Sequence, residues 1–84
     1  MRHFASPRIW TAYERLPPDI QRLADKSFTL LKADPRHPSP CLKKVDGFWS
    51  ARVGLAHRAL AVECDQGLLW FWIGDHAEYD RLIS

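Results

Sequence analysis

The chain has 84 residues, 46% of them hydrophobic, and a formal net charge of +2. That length holds one domain, residues 1–84, and the apolar fraction argues for a packed core and against disorder. No apolar run approaches the roughly 18 residues that a membrane-crossing helix requires. The mild charge balance also excludes a protein held on DNA by bulk electrostatics alone.

The start, Met1-Arg2-His3-Phe4, leads directly into a helical pattern, so the reading expects no signal peptide, no membrane association and a cytoplasmic location. Arg2–Ala5 can supply a short first strand. Ser6-Pro7 is a helix start, with serine as N-cap and proline in the first turn. Ile9, Tyr13 and Leu16 then fall at i, i+4 and i+7, which predicts a short amphipathic helix. Leu16-Pro17-Pro18 stops it, because proline lacks an N–H and restricts the residue before it. A second helix is predicted from about Pro18 to about Ala33. Ile20, Leu23, Ala24, Phe28 and Leu31 face inward, leaving Arg22, Asp25, Lys26 and Lys32 outside.

Asp34 to Gly47 reads as a proline-rich loop, pinned to the core by Leu42 and closed by an Asp46-Gly47 turn. Three strands follow, Phe48–Val53, His57–Glu63 and Leu68–Ile73, the last two joined through Asp65-Gln66-Gly67. Leu68–Ile73 is apolar on both faces and is expected to be a central strand covered on both sides. The predicted architecture is α+β, an N-terminal α-hairpin on a small antiparallel sheet in the order β-α-α-β-β-β. Cys41 and Cys64 lack CxxC spacing and are expected to be reduced thiols. No His or Cys pair has metal-ligand spacing, so no metal and no cofactor is expected.

Charge is unevenly spread. Arg36, Lys43, Lys44, Arg52 and Arg58 stand against the single acid Asp46, whereas from Ala59 onward Arg81 stands against Glu63, Asp65, Asp75, Glu78 and Asp80. A basic middle of this kind suits a nucleic-acid contact surface or, more plainly, a solvated loop. A turn centred on Leu55 would set Arg52 and Arg58 opposite each other on one sheet face. Like charges placed so are destabilising unless an anion lies between them. Arginine's planar fork holds two phosphate oxygens and keeps its proton. Histidine titrates near neutrality and suits acid or base work.

RNA cleavage by transphosphorylation asks for this set: a base for the 2′-hydroxyl, cations for the phosphorane and an acid for the leaving oxygen. The candidates are Arg52 and Arg58 as cations and His76 as general acid, or as base in the reverse assignment. Tyr79 would orient the nucleotide, and Lys43 and Lys44 would contact RNA. The structural alternatives are an Arg58 ion pair with Glu63 or Asp65, a His76 that only caps the final strand or starts the last helix, and a Tyr79 that only packs. His57 alternates to the face opposite Arg58 and reads as structural. Trp49, Trp70 and Trp72 read as core.

These residues resemble the RelE/ParE superfamily of toxins from type II toxin–antitoxin pairs. The resemblance runs over nearly the whole chain: the two N-terminal helices, Asp34–Pro40, Leu42-Lys43-Lys44, Trp49-Ser50-Ala51-Arg52-Val53-Gly54, Arg58 and Gly74-Asp75-His76-Ala77-Glu78-Tyr79-Asp80. The ending is similar to that of the RNA-cleaving RelE/HigB-like branch. The resemblance implies a microbial-RNase-like fold, ribosome-dependent cleavage of mRNA that inhibits translation, and a cognate antitoxin partner. Its ParE-like branch implies the alternative of a toxin that blocks DNA gyrase without cutting RNA.

Overall fold

The computed structural model describes residues 2–83. The elements are β1 (Arg2–Ala5), α1 (Pro7–Glu14), α2 (Pro18–Ala33), β2 (Lys43–Val45), β3 (Phe48–Val53), β4 (His57–Cys64), β5 (Gly67–Asp75) and α3 (His76–Ile83). They form one five-stranded sheet in the order β1-β5-β4-β3-β2. The α+β class and the α-hairpin stand as predicted, but the predicted order lacks β2 and α3. The sheet is also mixed rather than antiparallel, because β1 runs parallel to β5. The reason lies in connectivity: the chain leaves β1 through two helices on one face and returns to the far edge at β2. Three successive antiparallel steps then bring β5 back beside β1.

α2 covers the stretch the apolar spacing indicates, with Ala24 and Leu31 buried on its inner side. Leu23 and Phe28, also expected to face inward, remain 39% and 40% exposed, so the helix buries only part of its apolar stripe. Ser6 occupies the N-cap position of α1 without a side-chain capping bond. Its N–H instead donates to the Trp70 carbonyl (3.0 Å), which prolongs the β1–β5 ladder to the first residue of the helix. Asp46 and Gly47, both at positive φ, form the tight turn that joins β2 to β3. Lys43 and Lys44, expected in the preceding loop, are therefore in a strand, with Lys43 opposite Ser50 and Lys44 opposite Trp49.

The core lies between the helical hairpin and one face of the sheet. Ala51 and Val53 of β3, Ala59 and Ala61 of β4, and Leu68, Trp70 and Ile73 of β5 meet Leu16, Ala24 and Leu31 there. Small residues on the two middle strands let the helices approach, and the large ones on β5 fill the space this leaves. Gly67 is required by close approach: with φ at +155°, a Cβ there would collide with the Arg2 carbonyl oxygen, and β1 could not pair. β5 is interior, although the middle position belongs to β4. β1 pairs only Gly67 to Trp70. The expected cover on both faces is incomplete, since Leu69, Phe71 and Trp72 are only half-buried.

Candidate functional site

The β3–β4 hairpin pairs Ala51 with Ala59, Arg52 with Arg58 and Val53 with His57. Alternation then fixes the faces. Ala51, Val53 and Ala59 are in the core, so Ser50, Arg52, Arg58 and Leu60 belong to the face away from the α-hairpin. Arg52 is exposed and Arg58 half-buried. Neither makes an ion pair with any acid among the described residues. Two guanidinium groups directly across a ladder, with no carboxylate between them, leave a concentrated positive spot.

Arg58 is held from two sides. Its Nη1 donates to the Ser50 hydroxyl (3.3 Å), and Ser50 is fully buried on the neighbouring strand. Its guanidinium lies 5.2 Å from the centre of the Tyr79 ring, within cation–π range. Tyr79 is itself 5% exposed and forms the inner side of α3. The ring of His76 lies 5.7 Å from the same Tyr79 ring, tilted by 34°. Tyr79 is thus the shared floor under Arg58 and His76.

α3 is set in place by two polar contacts at its start. The His76 N–H donates to the Ala56 carbonyl in the β3–β4 turn (2.8 Å). The Asp75 carboxylate accepts from the Glu78 N–H (2.8 Å), which caps the helix. The His76 side chain is 54% exposed, with Nε2 3.6 Å from the Asp80 carboxylate, an ion pair only when the imidazole is protonated. On the third strand, Gly74 is opposite Arg58. Its missing side chain matters, because a Cβ there would collide with the Trp72 indole. The indole lies over Gly74, and the shelf beside Arg58 stays low.

The two lysines part company. Lys43 is beside Ser50 on the arginine face. Lys44 is on the helical face, where its Nζ meets the Glu63 carboxylate at 3.4 Å. That carboxylate also accepts from the Trp49 indole N–H (2.8 Å). The indole bond first, and then the Lys44 charge, hold the Glu63 carboxyl below its usual range. His57 is on the helical side, away from Arg58. Its buried Nδ1 has no hydrogen-bond partner among the described residues, and it lines a groove with Arg8, Arg15 and Asp75. A separate apolar cleft of about 110 Å³ between the two helices and the sheet includes Tyr13 and Asp25, which are bonded to each other (2.9 Å). It offers none of the polar groups found on the arginine face.

Arg52, Arg58, His76, Tyr79 and Lys43 are thus brought to one side of the sheet. Ser50, Trp72 and Gly74 complete the surroundings, and none was named as a site residue; Trp72, expected in the core with Trp49 and Trp70, is instead half-buried on this face. The strand period gave a signal for Ser50, which shares a face with Arg52. Trp72 and Gly74, two residues apart, share a face by the same period; that it is the arginine face, opposite Trp70, depends on a bulge that no local pattern announces.

No protein-family model matches the chain, and comparison with curated proteins finds no match. Solved structures do match, and they show the fold, which is that of RelE/YoeB/ParE-type toxins. The RelB–RelE antitoxin–toxin complex from Methanococcus jannaschii aligns with TM-score 0.73 at 8% identity, over 96% of this chain and 99% of that one. A YoeB/ParE toxin from Agrobacterium tumefaciens aligns with TM-score 0.68 at 18% identity, over 90% and 99%. The RelBE2 toxin–antitoxin complex from Mycobacterium tuberculosis aligns with TM-score 0.66 at 20% identity, over 88% and 95%. Among the described residues, no helix is long and apolar enough to cross a membrane.

Proposed function

We propose that this chain is the toxin of a toxin–antitoxin pair and that it cleaves mRNA on the ribosome without a metal ion, so inhibiting translation. The observation that carries the reading is the Arg52–Arg58 cross-strand pair, free of acid partners among the described residues, with Arg58 and His76 on the same tyrosine ring. The RelE and YoeB structures that share the fold support it, and their antitoxin complexes support a cognate antitoxin for this chain.

In this mechanism the scissile phosphate lies between the two guanidinium groups. The 2′-oxygen attacks the adjacent phosphorus, a P–O2′ bond forms and the P–O5′ bond breaks. The 2′-hydroxyl proton leaves to solvent, and protonated His76 delivers a proton to the departing 5′-oxygen. The products are a 2′,3′-cyclic phosphate and a 5′-hydroxyl. Arg52 and Arg58 stabilise the extra negative charge of the phosphorane, an electrostatic role that low local dielectric strengthens. Tyr79 positions both Arg58 and His76, and Lys43 extends the cationic row toward the sheet edge. Lys44, in its ion pair on the other face, serves RNA only by leaving Glu63.

The test is translation of a defined mRNA on purified ribosomes with this protein, followed by mapping of RNA 5′ ends. New 5′-hydroxyl ends that need the ribosome support the reading. Intact message together with inhibited gyrase supercoiling would instead assign the chain the ParE-like role.

A further inference from the structure

The open face of the sheet carries a second feature below the arginines. β4 and β5 are out of register by one residue: Leu60 pairs with Trp72 and Ala61 with Trp70, so Phe71 is the extra residue of a β-bulge. Trp70 and Ile73 both point into the core. Phe71 and Trp72 consequently both belong to the arginine face, where strict alternation would have allowed only one. Phe48 shares that face, being four residues from Arg52 along β3, and its ring centre is 5.8 Å from that of Phe71. Val62 and Leu69, paired with each other, lie alongside, and all four of these apolar side chains are half-buried.

We infer that Phe48 and Phe71 form a base-stacking ledge for single-stranded RNA, a subsite separate from the arginine pair that holds the scissile phosphate. Three observations favour RNA as the occupant. The ledge adjoins the cationic row, because exposed Lys43, opposite buried Ser50, stands on the same face between Phe48 and Arg52. Four residues of strand separate Phe48 from Arg52, about 13 Å, a span that an extended strand covers in a few nucleotides. The two rings are tilted by 52° rather than stacked flat, which leaves a ring face free for a base, and every base has a π face to offer. The inference rests on the nuclease reading and adds to it a binding element that tolerates any base: bases beyond the cut are gripped by stacking and not by hydrogen-bond readout.

The experiment compares 2′-O-methyl oligoadenylates, which cannot be cleaved because the attacking hydroxyl is blocked. Binding of a tetranucleotide and of a dinucleotide is measured by calorimetry on the whole chain. The parent binds the tetranucleotide more tightly than the dinucleotide. In Phe48→Leu with Phe71→Leu, which keeps apolar contact and removes the π faces, that preference shrinks about tenfold. Phe48→Trp alone retains it, and thermal melting checks that each variant is folded. An unchanged preference in the double variant, with Arg58→Ala weakening both oligonucleotides, overturns the ledge alone and leaves this face to a protein partner. Affinities that ignore Arg58→Ala overturn the nuclease reading and the ledge with it.

Discussion

Arg58 combines three features that each favour an anion: a cross-strand arginine, a buried serine hydroxyl that fixes its fork, and an aromatic ring beneath it. A lysine could supply the charge but neither the planar fork nor the stacking. Arg58→Ala and Arg58→Lys are both expected to lower ribosome-dependent cleavage by at least about tenfold, roughly 1.4 kcal/mol of transition-state stabilisation. His76→Ala is expected to lower cleavage by at least about tenfold as well. Rates within twofold of the parent in a folded variant would remove that residue from the mechanism. At this scale the sequence was legible. A turn centred on Leu55 would set Arg52 and Arg58 opposite each other, and the register does so; His76 and Tyr79 stood out by residue type and spacing, but the helix that carries both was not in the predicted order. What it could not separate was Lys43 from Lys44, because which of two adjacent residues faces the site is set by strand register and not by residue type.

Two elements bring the site into shape, and both are marginal on their own. α3 has eight residues, too few for an isolated helix in water, so its Asp75 cap and its docking through Tyr79 decide whether it forms. Asp75→Ala is expected to cost about 1 kcal/mol, read as a lower urea midpoint, and to reduce cleavage by loosening His76. Asp75→Asn keeps the capping oxygen and most of the stability. β1 depends on His3. Its ring stacks beside Trp70, meets Phe28 edge-on and accepts the Trp70 indole N–H through Nδ1 (3.0 Å), leaving Nε2 buried without a hydrogen-bond partner among the described residues.

Burial first, and then nearby positive charge including Lys32, holds the His3 pKa below its ordinary value of 6.5. The neutral form is favoured by the fold, so its contribution is complete above the unfolded value. It is lost as pH falls through the folded value, because the unfolded chain binds the proton first. Thermal melting between pH 7.5 and 5.5 is expected to show a steeper loss of stability in the parent than in His3→Gln, which retains an acceptor for Trp70. Equal slopes would remove His3 as the sensor. The short β1 was only an option in the sequence, because four residues carry too little pattern to declare a strand. Its partner, the first half of β5, lies more than sixty residues away.

For the whole molecule, the limiting quantity is core volume. A domain of this size holds about 4–13 kcal/mol of net stability, and its inner layer relies on alanines at Ala24, Ala51, Ala59 and Ala61 to seat the helices close to the sheet. Leu31, 2% exposed, is among the largest side chains fully enclosed. Leu31→Ala is expected to remove about 3 kcal/mol and, with so small a reserve, to leave a measurable unfolded fraction at 37 °C by circular dichroism. A loss below about 1 kcal/mol would mean that the helices collapse into the vacated space. The same economy explains why the other face of the sheet is only partly covered. With the α-hairpin on one side and a two-turn helix on the other, the chain has no further element to lay over Phe48, Leu69 and Phe71.

The sequence by itself determined the helical hairpin, three of the five strands and the facing of the two arginines, since each follows from spacing within a short window. Tertiary structure alone decided the mixed sheet, the strand that carries the lysines, and the meeting of Arg58 with Ser50 and Tyr79. It also decided the bulge that turns Phe71 and Trp72 to one face. These depend on register between strands distant along the chain, and register is settled by which side chains fill the core together, a sum over the whole fold that no local pattern contains.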